Sequence, residues 1–205
     1  MRSKGNLIER SSGILMPISA LPSPHGIGTL GRSAREFVDF LADARQSWWQ
    51  VLPVGPTSYG DSPYQSPSTF AGNPYFIDLE LLRDDGLLMQ DEIDALSWGG
   101  NPERVDYALL YQNRFLLLER ATARGFERDK KEVEAFFREN RFWLDDYSLF
   151  MAVKSHFGMR SWLCWDEDIR LHKKEAVERY KSLLKDEIRL FIYHFQTKKK
   201  PFVKS

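Results

Sequence analysis

Two short apolar runs near the start of the chain, separated by a single helical pattern, restrict the fold more than any other feature. The runs cover residues 13–18 and 48–54, and each is typical of a buried strand. Between them, Ser33 and Glu36 have the spacing of a capping box, which predicts a helix start. The apolar residues that repeat at helical spacing there are Ala34, Phe37, Val38 and Leu41. This order favours a right-handed βαβ unit with a parallel pair of strands, so the predicted fold class is α/β.

The rest of the chain carries helical patterns and no second β-rich stretch. Helices are predicted over residues 91–96, 106–124, 129–140 and 145–157, with Gly125 and Gly158 closing two of them. One long helix is predicted from about Glu175, with apolar residues at core-facing spacing as far as Phe195. We therefore expect three parts: the βαβ unit in 1–78, a mainly helical inserted subdomain in 79–170, and the long helix with a basic tail in 171–205.

Charge and cysteine usage narrow the range of partners. Lys plus Arg and Asp plus Glu number 29 each, so the formal charge is zero, and we expect neither nucleic acid nor an anionic membrane as a partner. No apolar run approaches the roughly 18 residues that span a bilayer, and the first residues lack the features of a signal peptide. The single cysteine, Cys164, excludes a disulfide within the chain, which predicts a cytoplasmic protein. The tryptophans beside Cys164 predict a buried, inert thiol.

A loop over residues 55–75 follows the second predicted strand and has the least ordinary composition in the chain. It combines Gly, Pro, Asn and Asp with tyrosines and several hydroxyl side chains. Proline stiffens such a loop, and tyrosine rings stack on the apolar faces of sugars while their hydroxyls form hydrogen bonds. A carbohydrate site is one interpretation, and a compact loop that packs its own aromatic residues is an equal alternative.

Several separate segments match one known family in the same order. They are RSSGIL at 10–15, LPSPHGIG at 21–28, WWQVLP at 48–53, GPT at 55–57, DSPYQS at 61–66, AGNP at 71–74, VDY at 105–107 and SWLCW at 161–165. Together they resemble the amylomaltase (4-α-glucanotransferase) family, over residues from about 10 to about 195. Eight motifs in order are far more specific than any single short pattern.

This resemblance implies a fold, an activity and a set of contacts. The fold would be the first part of a (β/α)₈ TIM barrel, with about two parallel strands, and the enzyme a glycosyltransferase that moves α-1,4-glucan segments between maltooligosaccharides by a retaining mechanism. In the family, Ser62 and Tyr64 would line the donor subsite, and Tyr59 and Tyr107 would be platforms for the glucan chain. The family's catalytic carboxylates follow later strands, beyond residue 205, so the resemblance implies that this chain lacks them and is inactive alone.

The chain offers no evident substitute for those carboxylates and no evident metal or cofactor site. Asp61 stands in a turn-forming run, where aspartate usually bonds its own backbone. Asp78 and Glu80 have the positions of helix caps. The histidines show no spacing with cysteine or glutamate that would suit a metal ion, so we predict no metal and no cofactor.

Two departures from the family pattern carry structural consequences. Arg45 stands at a helix end where the family usually has a glycine in left-handed geometry. After Phe195 the third barrel strand does not follow, so the barrel is expected to be incomplete, with unpaired apolar edges. Those edges predict contact with the missing C-terminal part or self-association. The alternative functions are a non-catalytic glucan-binding module and an interaction fragment.

Overall fold

Two short parallel strands begin the fold. The structure is a computed structural model and describes residues 10–57, 60–101 and 103–199. Strand β1, Gly13–Leu15, pairs with strand β2, Trp48–Gln50, in parallel, with Gly13 opposite Trp48. The backbone N–H of Met16, the residue after β1, donates to the Gln50 carbonyl at 3.0 Å and is the last ladder bond on that side. The predicted parallel pair is confirmed, with strands shorter than the apolar runs.

Helix α1, Arg32–Asp43, connects the two strands. Its N-cap is Gly31, without a side-chain cap, and the Ser33 hydroxyl donates instead to the Pro22 carbonyl at 2.7 Å. The predicted capping box is therefore wrong, because the helix begins before Ser33 and the hydroxyl fixes the preceding loop. At the other end Arg45 has φ 55°, and the Gln46 N–H donates back to the Leu41 carbonyl at 2.8 Å. The left-handed geometry predicted for Arg45 is confirmed.

Helices make up most of the remaining fold. They are α2, Leu79–Asp84; α3, Gln90–Asp94; α4, Tyr107–Arg128; α5, Lys130–His156; α6, Glu167–Arg170; α7, Lys174–Leu183; and α8, Lys185–Lys199. Short 3-10 helices cover Ile18–Ala20, Pro74–Phe76 and Trp162–Cys164. Asp78 caps α2 by accepting from the Leu81 N–H at 2.9 Å, as predicted. No helix in the described part of the chain combines the length and apolar composition needed to cross a membrane.

Three predicted helix boundaries are wrong, and packing explains two of them. Helix α4 continues past Gly125 to Arg128. This glycine does not end the helix but allows close packing, since a Cβ there would lie 1.8 Å from the Tyr193 hydroxyl. The predicted helices at 129–140 and 145–157 are one helix, α5, since the junction holds no Gly or Pro and buries Leu144 completely. The predicted long helix is divided at Leu184, whose φ of −108° and ψ of 32° leave the helical region.

Two apolar clusters form the core. The larger one is built from the helices, and the smaller one lies around the first loop, Pro74–Phe76 and Leu110 of α4. Arg114 of α4 is fully buried and donates to the Ile77 carbonyl at 2.6 Å and the His25 carbonyl at 3.4 Å, so it links the helices to the βαβ unit.

Cys164 is exposed, not buried as predicted, because the 3-10 helix that carries it has no buried residue and lies on the surface.

Candidate functional site

The loop at 55–75 closes back on Val54, the residue that precedes it. The Asn73 N–H donates to the Val54 carbonyl at 2.7 Å, and its side-chain oxygen accepts from the Tyr75 N–H at 3.0 Å, which caps the 3-10 helix Pro74–Phe76. Within the loop, the Ser68 hydroxyl accepts from the N–H groups of Phe70 and Ala71 at 3.3 and 3.1 Å. A Cβ on Gly55 would lie 2.4 Å from the Ser66 hydroxyl, so the loop closes tightly on itself. Its own hydrogen bonds thus fix the described part of this loop.

A cleft of about 490 Å³ lies between this loop and three helices, α4, α5 and α8. The loop contributes Thr57, Asp61 and Pro67, and the last helix contributes Phe191 and Phe195. Because aromatic and aliphatic side chains with a few polar groups line it, the cleft has the character of a small-molecule site.

Aromatic rings form the wall of the cleft on the α4 side. The Tyr75 ring lies 5.8 Å from the Tyr107 ring and 5.9 Å from the Phe115 ring, centre to centre. The rings of Tyr111 and Phe115 are 5.1 Å apart. Tyr107, Tyr111 and Phe115 follow one another at intervals of four residues, so they share one face of α4. The opposite wall comes from Tyr147 and Met151 of α5.

Charge in the cleft is sparse. Among the described residues that line it, Asp61 carries the only carboxylate and Lys154 the only cation. Burial raises the pKa of Asp61. Burial, and secondarily the charge of Asp61, raise the pKa of Tyr75 to about 12 and also raise that of Tyr107, so both phenols stay neutral hydrogen-bond donors. A cleft with one charge of each sign suits a neutral, hydroxyl-rich ligand better than an ion.

Three of the four predicted sugar contacts lie among the described residues, and one of these three lines the cleft. Tyr107 is half-buried and lines it, and it also lines a second cavity of about 120 Å³ near the ends of the strands, together with Asp61 and Pro63. Ser62 and Tyr64 are not among the described residues that line the cleft: the Ser62 hydroxyl accepts from the Tyr64 N–H at 3.3 Å, and Tyr64 is 74% exposed. Tyr59 lies outside the described residues.

The sequence interpretation missed most of the aromatic residues that line the cleft. They are Tyr75, Tyr111, Phe115, Tyr147, Phe191 and Phe195. The spacing of Tyr107, Tyr111 and Phe115 could have revealed the α4 wall, because residues four apart lie on one helix face. No local pattern could have joined Tyr147 and Phe195 to that wall, since the tertiary fold alone brings them together. Within the described residues, no group of three or more His, Cys, Asp or Glu side chains is placed to hold a metal ion.

Comparison with known proteins identifies the family. The sequence model of the 4-alpha-glucanotransferase family matches residues 16–200. The 4-alpha-glucanotransferase of Clostridium butyricum is 49% identical over 173 residues, which cover 84% of this chain and 36% of that protein. The 4-alpha-glucanotransferase of Thermus thermophilus is 44% identical over 187 residues, which cover 88% of this chain and 36% of that protein.

A solved structure agrees with these sequence relatives. The amylomaltase from Streptococcus agalactiae in complex with acarbose has a TM-score of 0.91 and 40% identity, and the match covers 94% of this chain and 39% of that one. The fold is thus that of an α/β protein with a parallel strand pair and a large helical part. The chain belongs to the 4-alpha-glucanotransferase family, and it spans little more than a third of the length of the relatives it matches.

Proposed function

We propose that these 205 residues form the N-terminal, glucan-holding portion of a 4-α-glucanotransferase that transfers α-1,4-glucan segments between maltooligosaccharides. Family membership supports the activity, and the aromatic cleft supports the ligand class. The observation that carries the proposal is the wall of rings on the α4 side of the cleft, where Tyr75 and Tyr107, whose phenols stay neutral, lie beside Tyr111 and Phe115. Sugars offer the complementary combination of apolar ring faces and hydroxyl groups.

The remaining proposed sugar contacts come from the family resemblance. We assign Ser62 and Tyr64 to the donor subsite, next to the bond that is cut, and we give Tyr59 the same role as Tyr107, a platform for the glucan chain. The exposure of Tyr64 is compatible with contact to a ligand. In the sequence, Asp61 lies between Tyr59 and Ser62. The backbone φ of Asp61 is 54°, which turns the chain there.

The transfer chemistry requires more than this cleft supplies. A retaining mechanism needs a nucleophilic carboxylate and an acid/base carboxylate about 5–5.5 Å apart. Because Asp61 carries the only carboxylate among the described residues that line the cleft, we propose that both catalytic groups lie outside these 205 residues. A polypeptide of this sequence alone is then inactive. Incubation with maltotriose should release no glucose and form no longer oligomers, and a ladder of products from the pure chain would refute this.

Binding can be tested apart from catalysis. Titration of the chain with maltoheptaose, followed by tryptophan fluorescence or NMR shifts, should show saturable binding that is insensitive to salt. Tyr107→Ala should weaken it about threefold to tenfold, the scale of one aromatic contact, while Tyr107→Phe should retain most of it. Phe40→Ala, an exposed ring on α1 away from the cleft, serves as the control. Absence of saturable binding at millimolar sugar would rule out a glucan-binding role for the isolated chain.

We also propose that the sheet is a contact surface. Leu15 of β1 and Trp48 of β2 are exposed although they belong to a parallel pair, whose faces are normally covered. In the relatives, a barrel that continues past the matched third would cover them. Light scattering and hydrophobic-dye binding test this idea, because uncovered edges predict dye binding or self-association. A clean monomer that binds no dye would contradict it.

A further inference from the structure

Two phenylalanine rings stand exposed at the outer end of the cleft-forming loop. Phe70 of the loop is 60% exposed and Phe142 of α5 is 72% exposed. Their ring centres are 5.2 Å apart and the ring planes meet at 85°. The two rings therefore form a right-angled corner, and we use the term aromatic corner for Phe70 and Phe142 together. Contiguous exposed apolar side chains are a feature of binding surfaces.

The aromatic corner is continuous with the cleft through one tryptophan. The ring of Phe70 stacks on that of Trp143 at 6.0 Å and 22°. The Trp143 ring in turn lies 5.6 Å from Phe195 and 6.1 Å from Tyr147, which both line the cleft. On the loop side, Pro67 also lines the cleft, three residues before Phe70. A row of rings thus runs from the cleft wall to the surface.

The surroundings of the corner favour a neutral ligand. The Trp143 indole donates to the Asn140 side-chain oxygen at 3.2 Å, so its polar atom is already satisfied and its role at the corner is packing. Within one helical turn of Phe142, α5 carries two basic side chains, Arg138 and Arg141, and three acidic ones, Glu139, Asp145 and Asp146, and Asp145 is paired with Lys181 at 2.9 Å. Because the basic and acidic side chains here, Lys181 included, balance in number, the rings are suited to the apolar faces of neutral sugar residues.

We infer that the aromatic corner of Phe70 and Phe142 is an additional subsite for long α-glucan chains, reached when the chain extends out of the cleft along Trp143. The inference rests on the proposed glucan binding in the cleft and adds a preference for length. A short oligosaccharide fills the cleft without reaching the corner. A longer one gains a further ring contact, so affinity should rise with chain length.

The test compares two ligands on four proteins. Maltotriose and maltoheptaose are titrated into the unchanged chain, Phe142→Ala, Phe142→Tyr and the control Phe40→Ala. We expect Phe142→Ala to weaken maltoheptaose binding about threefold to tenfold and to leave maltotriose binding unchanged. Phe142→Tyr should keep the affinity for both, and Phe40→Ala should change neither. Because Phe142 is exposed on a helix, its replacement by alanine should not disturb folding, which circular dichroism checks.

The experiment distinguishes failure of the corner subsite from failure of glucan binding in the cleft. If Tyr107→Ala weakens binding and Phe142→Ala changes nothing, or weakens both ligands equally, the corner is not a length-dependent subsite and the cleft proposal stands. If neither sugar binds any of the proteins, the cleft proposal fails and the corner fails with it. If light scattering shows a dimer that Phe142→Ala converts to a monomer, the corner is a contact between copies of the chain, which overturns the inference.

Discussion

Arg114 donates from its guanidinium to the backbone carbonyl of Ile77 at 2.6 Å, deep inside the protein. A second nitrogen reaches the His25 carbonyl at 3.4 Å. Burial lowers the pKa of Arg114 to about 10, and the negative charge of Asp78 raises it by a smaller amount. The guanidinium therefore remains protonated at neutral pH. One buried cation on α4 thus satisfies two carbonyls of the βαβ unit, at residues 25 and 77.

We expect Arg114→Met to lower the free energy of unfolding by about 2–4 kcal/mol, because each carbonyl left without a donor in the interior costs about 1–3 kcal/mol. Removing the buried charge offsets part of that loss. Urea denaturation measures the difference. Arg120→Met is the matched control, since Arg120 forms an exposed ion pair with Glu92 at 3.4 Å and should lose less than about 1 kcal/mol. Equal losses in the two variants would contradict the assigned role.

Gly125→Ala should destabilise the protein by about 2 kcal/mol, even though alanine is the better helix former. Its methyl group would overlap the Tyr193 hydroxyl, which donates to Asp129 at 2.8 Å. Thermal or urea unfolding tests this expectation. Gly100→Ala provides the comparison, because a Cβ at Gly100 would meet no atom within 4 Å. A Gly125→Ala variant as stable as the Gly100→Ala variant would show that α4 and α8 are not closely packed there.

Arg45→Gly should stabilise the protein by about 0.5–1 kcal/mol. Arg45 holds a φ of 55° at the end of α1, a conformation that costs a side-chain-bearing residue more than it costs glycine. Asp39→Gly, in the middle of the same helix, should have the opposite effect, with a loss of about 1 kcal/mol. Chemical denaturation of both variants measures the two signs, and a loss of stability in Arg45→Gly would refute the argument.

Stability should fall as the pH drops below about 6.5, the ordinary pKa of histidine. Burial, and then the nearby Arg114, lower the pKa of His25 in the folded state. The unfolded chain therefore takes up a proton at a higher pH than the folded one. This contribution is complete above about pH 6.5 and is lost progressively as the pH falls to the lowered folded pKa.

The His25→Gln variant isolates this effect. Urea unfolding between about pH 7.5 and about pH 5 should show a smaller decline for the variant than for the unchanged chain. Glu92 does not interfere in this range, because hydrogen bonds from Arg124 lower its pKa to about 2, and its contribution is lost only at more acidic pH. Identical pH profiles for the two proteins would show that His25 is not the responsible group.

Local patterns were sufficient where one segment determines its own geometry. The strand pair could be predicted because two apolar runs flank a single helix. The left-handed turn at Arg45 was expected from the family resemblance, since the family usually has a glycine at that helix end. The division at Leu184 had a signal that was overlooked: Asp186 and Glu187 lie in the first turn of α8, where acidic residues favour a helix start.

Patterns failed where distant segments decide the outcome. Gly125 has the residue type of a helix end, but it lies inside α4, where its lack of a side chain makes room for Tyr193 of α8. The cleft shows the same limit, because Tyr107 and Tyr147 stand on different helices and meet only in the folded protein. The loop at 55–75 could be selected from its composition, yet which of its side chains face the cleft depends on contacts beyond the loop.

The hydrogen bond between Arg114 and His25 joins residues 89 positions apart. During synthesis on the ribosome, the first loop leaves the peptidyl-transferase centre long before its partner exists. At about 5–20 residues per second, the delay is roughly 5–20 seconds. Throughout that interval the newly made strand and its loop lack the guanidinium that anchors them, so nascent chains of this length are candidates for protection by chaperones.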